Sequence, residues 1–345
     1  MKIKQRNDKK DWTKAIAVGF LAPLAVCLFV LAFLWPMATM TPKDLPLAVV
    51  GTQEQVSKVS EAFEQKQPRL FEITPVEDRA AAVSLIEEHE AYGAIVLGQE
   101  PEVLTASAAG AAQGNIVKNL AQPVEAMANQ QAQAMAAAKG IPADALPNVT
   151  VKTTDVVPTS SEDPQGLAMN MAIIPVAIGG MLGAAIPSFL LKRNSQRLLA
   201  LAIFAPIAGL LTTAVIGGVF GLLPDSFWAS TGVFTLGIAA VSSFILGLRA
   251  LLGAPGFGLG ALTIMLVGNP LAGTMAPKEF VSGSWGYFGQ FLPNGATATL
   301  LRLVNYFPAA SIATQVWTLL AWVAFGLVLL GSGIVRESRS AKKAA

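Results

Sequence analysis

Residues 15–34 read AIAVGFLAPLAVCLFVLAFL, twenty positions without a charge. As an α-helix rising ~1.5 Å per residue, they cover the ~30 Å of hydrocarbon in a bilayer. Six basic residues (Lys2, Lys4, Arg6, Lys9, Lys10 and Lys14) precede the stretch, and Trp35 and Pro36 mark its outer end. A secretory leader would share the basic start. Its apolar core runs only about 7–15 residues and ends in a small-x-small cleavage site. No convincing site of that kind follows here, so the stretch reads as a retained anchor, with 1–14 as a cytoplasmic segment and 15–40 as the first transmembrane helix.

Beyond the anchor, about 125 residues look soluble and the second half is almost continuously apolar. The whole chain is 53% hydrophobic and 13% charged, against roughly 25% charge in an ordinary soluble domain. Punctuation by Gly, Pro and charge divides the 166–335 region into spans at 166–191, 198–222, 229–248, 254–275 and 312–335. The pattern therefore predicts a multi-pass α-helical membrane protein of six transmembrane helices. An external α/β domain lies between helices 1 and 2, and a re-entrant helical hairpin precedes helix 6.

Orientation follows from Lys and Arg, which collect in short cytoplasmic loops. With the N-terminus inside, the cytoplasmic segments are 1–14, 192–197, Arg249 and the 336–345 tail. They hold 14 of the 24 basic residues and three of the 22 acidic ones. The near-neutral total conceals two oppositely charged faces, and both termini are expected in the cytoplasm.

The 41–165 segment alternates strand and helix: strands at 47–50, 70–74 and 93–97, helices at 54–65 and 78–92. That spacing suggests βαβ units on a partly parallel sheet. The Ala- and Gln-rich stretch 109–140 reads as one long exposed helix interrupted near Pro123, and a strand at 149–157 leads back to the membrane.

Little in this inventory points to catalysis, and the chain is not expected to be an enzyme. His89 is the only histidine and sits between Glu88 and Glu90, as a solvated surface residue would. The run Glu87, Glu88, Glu90 reads as a wet helix face. Cys27 is alone inside an apolar run and reads as packing, and no His and Cys cluster has metal-ligand spacing. The absence of any Gly-Lys pair excludes a P-loop. The six spans contain no Asp, Glu, His or Arg, the groups by which ion-driven carriers work at membrane depth. Arg249 stands at a helix end and Asp225 in a short outer turn. Any active transport must then draw its energy from a partner.

The four-residue spacing of Gly179 with Gly183, Gly217 with Gly221 and Gly256 with Gly260 aligns glycines for close helix approach, within the bundle or between subunits. The stretch 276–311 is more specific. It is apolar and aromatic, with Phe280, Trp285, Tyr287, Phe288 and Phe291, yet broken by Pro277, Gly283, Gly286, Gly289, Pro293, Gly295 and Pro308. Such backbone is tolerated at membrane depth only where protein or a water-filled cavity satisfies it. It reads as short helices dipping into the outer leaflet, with Pro277, Trp285, Pro293, Asn294, Gly295 and Arg302 as the residues to watch, or else as an interfacial lid.

The order of one span, external α/β domain, further spans and a broken hairpin before the last helix resembles the permease subunits of ABC-2 type transporters. The resemblance is particularly to the branch that includes phage-infection-protein-like membrane proteins. LPLAVVG (45–51), YGAIVLG (92–98), LVGNPLAG (266–273) and FLPNGATATLLRLVNYFPA (291–309) carry the likeness. It implies a permease in a bacterial cytoplasmic membrane, paired with a second permease copy or paralogue and with cytoplasmic P-loop ATPase subunits that bind the ATP. No cofactor is expected in this chain, and no nucleic acid. It further implies that residues 1–14 and the loop of Lys192, Arg193, Asn194 and Arg197 take force from the ATPase. The uncharged walls suit lipidic or amphipathic cargo. A non-transporting envelope scaffold or receptor displaying the external domain is the alternative, and a membrane enzyme a distant third.

Overall fold

The computed structural model describes residues 2–140, 148–164, 166–223, 226–274 and 276–344. Its first element, α1 (Lys2–Thr39), is one continuous helix that passes through both Pro23 and Pro36. It therefore does not end at Trp35. The apolar window of α1 buries nothing within the chain. Contact with the rest comes at its end, where the Trp35 ring meets Trp285 edge-on at 6.1 Å and Thr41 N–H donates to Phe280 O at 3.0 Å.

The α/β domain follows. Its five-stranded sheet has the order β2-β1-β3-β4-β5, built from β1 (Leu45–Val50), β2 (Phe71–Val76), β3 (Gly93–Val96), β4 (Glu102–Thr105) and β5 (Lys152–Asp155). β1 pairs in parallel with β2 and β3, β4 pairs in parallel with β5, and the β3–β4 pair is antiparallel. The partly parallel sheet expected from strand–helix alternation is thus present. β1 reads as unbroken apolar sequence because a parallel strand is covered on both faces; Leu45, Leu47, Ala48 and Val49 are fully buried. Helix α2 (Gln53–Lys66) opens with a capping box between Thr52 and Gln55, and α3 (Arg79–Glu87) with the Asp78 carboxylate accepting from Ala81 N–H at 2.8 Å. These local stops fix the two crossovers.

The 109–140 stretch is two helices, α4 (Ala111–Lys118) and α5 (Ala121–Ala138). The break falls at Asn119–Leu120, ahead of Pro123, which lies in the first turn of α5, where a missing N–H costs nothing. α4 is not exposed. Its Val117 is fully buried and sits so close over Gly93 that a Cβ there would collide with it.

The helical half comprises α6 (Leu167–Met171), α7 (Ile173–Leu190), α8 (Asn194–Thr213, prolonged by a π-helical turn Ala214–Val219), α9 (Phe227–Leu252), α10 (Ala254–Thr263, prolonged by a π-helical turn Ile264–Gly268), α11 (Trp285–Gln290), α12 (Pro293–Tyr306) and α13 (Ala313–Ala344). α9 is the central post, against which α7, α8, α10, α12 and α13 all pack. Its contact with α13 is close enough that Gly326 lies on the Ser243–Phe244 backbone and Gly247 on Gly326 O. Gly179 and Gly183 face Ile238 and Ser242, while Gly256 and Gly260 face Leu248 and Ile245, so these pairs serve packing within the bundle.

Among the described residues, five helices are long and apolar enough to cross a membrane: Lys14–Thr39, Met169–Leu190, Asn194–Val219, Phe227–Leu252 and Ala313–Lys342. They fit a membrane location. The span expected at 254–275 is only the shorter apolar helix Ala254–Gly268. At ~1.5 Å per residue it measures about 22 Å; it ends at Gly268, with Asn269 still in an αR conformation ahead of Pro270. Asp225, expected in a turn after α8, lies outside the described residues.

Candidate functional site

Two places bring together the polar residues singled out in the sequence. The first is the α7–α8 turn. Lys192 and Arg193 are exposed there, whereas Asn194 and Arg197 are buried. The Arg197 guanidinium donates to Asn194 Oδ1 at 2.7 Å, to Leu191 O at 2.9 Å and to Ser188 O at 3.3 Å. Asn194 N–H in turn donates to Glu337 Oε2 of α13 at 3.1 Å, and Arg336 Nη1 donates to Leu251 O at the end of α9 at 3.1 Å. The turn is therefore tied to the last helix. The loop is half exposed and half brace, because α8 begins four residues earlier than hydropathy suggests and carries Arg197 inside.

The second place is the junction between the α/β domain and the broken segment. Pro277 precedes a single 3-10 turn, Lys278–Phe280. Pro293 starts α12 at a first-turn position, Asn294 Nδ2 donates to Asn269 Oδ1, and Gly295 lies against Gly289 O with no room for a side chain. The segment is thus folded back on itself, with Phe280, Val281, Gly286, Gly289 and 292–297 buried while Trp285, Tyr287, Phe288 and Phe291 stay exposed. Phe280, Leu303 and Phe307 complete the core of the α/β domain, while the bundle packs around a separate apolar cluster.

His89 belongs to this junction, which corrects its assignment as a solvated residue. The helix expected over 78–92 stops at Glu87, and a left-handed backbone at His89 (φ 59°) turns the imidazole inward. Its ring packs edge-on against Phe307 at 4.6 Å and Tyr92 at 5.5 Å. Burial pushes its pKa down to about 3, and the positive charges of Arg302 and Lys278 add to the shift. The imidazole is therefore neutral at physiological pH. Tyr92 donates its hydroxyl to Glu279 Oε2 at 3.2 Å. Glu279, 4% exposed, has its pKa raised by burial, an effect that Lys278, 3.7 Å away, and the Tyr92 hydrogen bond oppose. Burial also lifts the Tyr92 phenol well above its ordinary range, with the Glu279 charge adding.

These groups surround a cavity of about 300 Å³ whose wall includes His89, Lys278, Gln290, Thr299, Arg302 and Gln315. Among the described residues Arg302 makes one hydrogen bond, Nη2 to Asn170 Oδ1 at 2.7 Å. The aromatic rings of Tyr287 and Phe291 also line the cavity while remaining 48% and 58% exposed. Comparison of the chain with protein-family models, curated proteins and solved structures gives no match.

Of the residues singled out from sequence, the junction gathers Pro277 and Arg302 at the cavity wall and uses Pro293, Asn294 and Gly295 to start α12. Trp285 stands apart against Trp35. Tyr92, Asn170, Glu279 and Gln315 were missed. A signal existed for one of them: a carboxylate in the middle of an apolar, aromatic stretch is costly enough to imply a partner. Among the described residues no group of three or more His, Cys, Asp or Glu could hold a metal ion.

Proposed function

We propose that this chain is the permease subunit of an ABC-2 type ATP-driven exporter in the bacterial cytoplasmic membrane, moving an amphipathic substrate outward. In this reading both termini and the α7–α8 turn face the cytoplasm, the α/β domain and the broken segment face outward, and ATP is bound by partner subunits. A second copy or paralogue of the permease completes the assembly.

The observation that carries the reading is the tie between the α7–α8 turn and α13 through Asn194 and Glu337, with Arg197 locking the turn to the last carbonyls of α7. A push on exposed Lys192 and Arg193 reaches α7, α8 and α13 together, without the slack of a flexible loop. α13 also packs on α9 and α12, and α12 carries Arg302 at the junction cavity. The likeness in element order supports the same conclusion.

The test is affinity purification of the full chain from native membranes in a mild detergent. A P-loop ATPase co-purifies, and its hydrolysis is stimulated by this chain. Inserting Gly-Gly after Asn194 leaves expression and ATPase binding intact but abolishes stimulation, because glycine adds backbone freedom where a lever needs stiffness. Full stimulation by the insertion variant, or normal cellular function without any ATPase, overturns the proposal in favour of a scaffold or receptor displaying the α/β domain.

A further inference from the structure

The junction cavity holds a charge without a counter-charge. Arg302 is embedded in α12, and among the described residues no carboxylate forms an ion pair with it. Lys278, the other cation on the wall, is neutralised by Glu279 at 3.7 Å. Glu88, at the exposed rim, accepts from Ser84 Oγ at 2.9 Å within its own helix end. The Arg302 side chain is half-buried; a guanidinium stays ionised, and a charge partly removed from water is stabilised by an oppositely charged partner. One amide oxygen, that of Asn170, does not meet the need.

The unmet hydrogen bonding concentrates here too. Arg302 Nε, Gln315 Oε1 and His89 Nε2 are buried side-chain atoms without a partner among the described residues, and all three residues line this one cavity. Each of the three residues can bring a donor to the cavity by a side-chain rotation. Arg302 Nε carries a proton, the Gln315 amide presents its NH2 when turned over, and a neutral imidazole can carry its proton on Nε2. Donor-bearing residues on the wall of one cavity, around a cation with no ion-pair partner among the described residues, suit an oxyanion. The charge balance calls for a single negative charge, since a dianion would leave the excess that Arg302 now has with its sign reversed. The exposed aromatic rim of Tyr287 and Phe291, beside the Trp35–Trp285 contact at the end of an apolar helix, is the belt composition of a membrane–water interface.

We infer that this cavity binds the oxyanion head of a monoanionic amphiphile of phosphodiester type, with Arg302 as principal donor, Gln315 and His89 as supporting donors, and the aromatic rim against the tail. The site goes beyond the transport reading and does not need it, since a scaffold with the same cavity would hold the same group.

Binding to the purified full-length protein in dodecyl maltoside is measured by calorimetry with three probes. They are dihexanoyl phosphatidylglycerol, its uncharged analogue dihexanoylglycerol, and inorganic phosphate at pH 6, where the monoanion predominates. The phosphatidylglycerol binds saturably one to one and the uncharged analogue does not. Arg302→Gln weakens binding at least about tenfold, as loss of a charge-assisted donor should, and Arg302→Lys recovers part of it. Gln315→Glu, which supplies a carboxylate to the same wall, abolishes binding while raising Tm. This second variant keeps the test valid if Arg302→Gln fails to fold. Inorganic phosphate binding with the same Arg302 dependence would assign the oxyanion to a free rather than a lipid-borne source. Absence of binding by both charged probes, or equal binding by wild type and Gln315→Glu, overturns the inference and leaves a water-filled cavity.

Discussion

Two arginines, Arg197 buried and Arg302 half-buried, stand in contrasting regions of the bundle. Arg197 spends both terminal nitrogens on three oxygens of its own turn, and the Asn194 it grips is held by Glu337 of α13. Arg302 has one acceptor and an open cavity. Both leave Nε unpartnered, so the difference lies in the terminal nitrogens and in the space beside them. A buried cation whose acceptors come from its own chain is a brace. One whose acceptors are missing, next to a space of ligand size, is a receptor for something else. Glu102 belongs with the braces: 7% exposed, it takes Arg79 through two hydrogen bonds of 2.6 and 3.2 Å and also accepts from Thr154 Oγ1.

The largest expected effect separates the two arginines directly. Arg197→Met strands the buried Asn194 side chain and two helix-end carbonyls, and should cost ~3 kcal/mol. In a thermal melt of the detergent-solubilised chain this is a drop in Tm of roughly 6 °C, taking ~2 °C per kcal/mol for a chain of this size. Arg302→Met removes an uncompensated charge and keeps the volume, so its melt stays within about 1 kcal/mol of wild type or rises, as replacement of unpaired buried ions by apolar groups does. Equal losses in the two variants would make both arginines braces and erase the contrast.

Much of the frame was legible because each signal was local. β1 and β3 are apolar runs bounded by Gly51 and Gly98, α2 and α3 announce themselves by Thr52 and Asp78, and the long apolar helices need only hydropathy. The fifth span came out shorter than its expected bounds because its apolar composition continues past Gly268, where the helix ends. β4 escaped because four residues behind Pro101 are too few to show alternation. Arg197 was singled out, but its burial escaped because hydropathy starts the span at 198, although the side chain reaches back over the turn to satisfy carbonyls. The cavity was the least legible part. Arg302 was singled out, but its partner Asn170 is 132 residues away in sequence, and no local pattern marks such a pair. His89 was misread for a different reason: charged neighbours on both sides suggest a wet helix face, and a left-handed turn at a non-glycine residue carries no sequence signature.

A smaller effect is expected at the satisfied carboxylate. Glu102→Gln loses the charge in the Arg79 pair but keeps shape and one acceptor, for ~1–2 kcal/mol, read as a lower midpoint for the α/β domain in urea. The Arg79 hydrogen bond holds the Glu102 pKa below its ordinary 4.5 in the folded chain, with Thr154 assisting against burial. Its contribution is therefore complete above the ordinary carboxylate range and is lost as pH falls through the depressed folded value. The variant should lack that acid-side loss. An unchanged acid limb would mean that Glu102 is already solvated and does not belong with Arg197.

The smallest effect at neutral pH, and the sharpest probe of the junction, is that of His89→Asn. Asparagine tolerates the left-handed backbone that His89 adopts (φ 59°), so the substitution removes the imidazole without forcing the turn. Wild-type His89 is held neutral by burial against Phe307 and Tyr92 and by the charges of Arg302 and Lys278, with a folded pKa of about 3 against the ordinary 6.5. Between those values the unfolded chain binds a proton that the folded chain refuses, so stability falls on acidification by up to ~1.4 kcal/mol per pH unit. Glu279 works in the opposite direction. Its folded pKa is raised above 4.5 by burial, so its contribution is present below that value and is lost as pH rises through the folded one. Above pH 4.5 the two oppose each other in wild type, and in the variant Glu279 acts alone. Urea midpoints taken from pH 7 down to pH 4.5 should therefore fall in wild type and hold level or rise in His89→Asn. Parallel falls in both proteins would show that His89 titrates freely in water, and the junction would then lose the dry, positively charged character that sets Arg302 apart from Arg197.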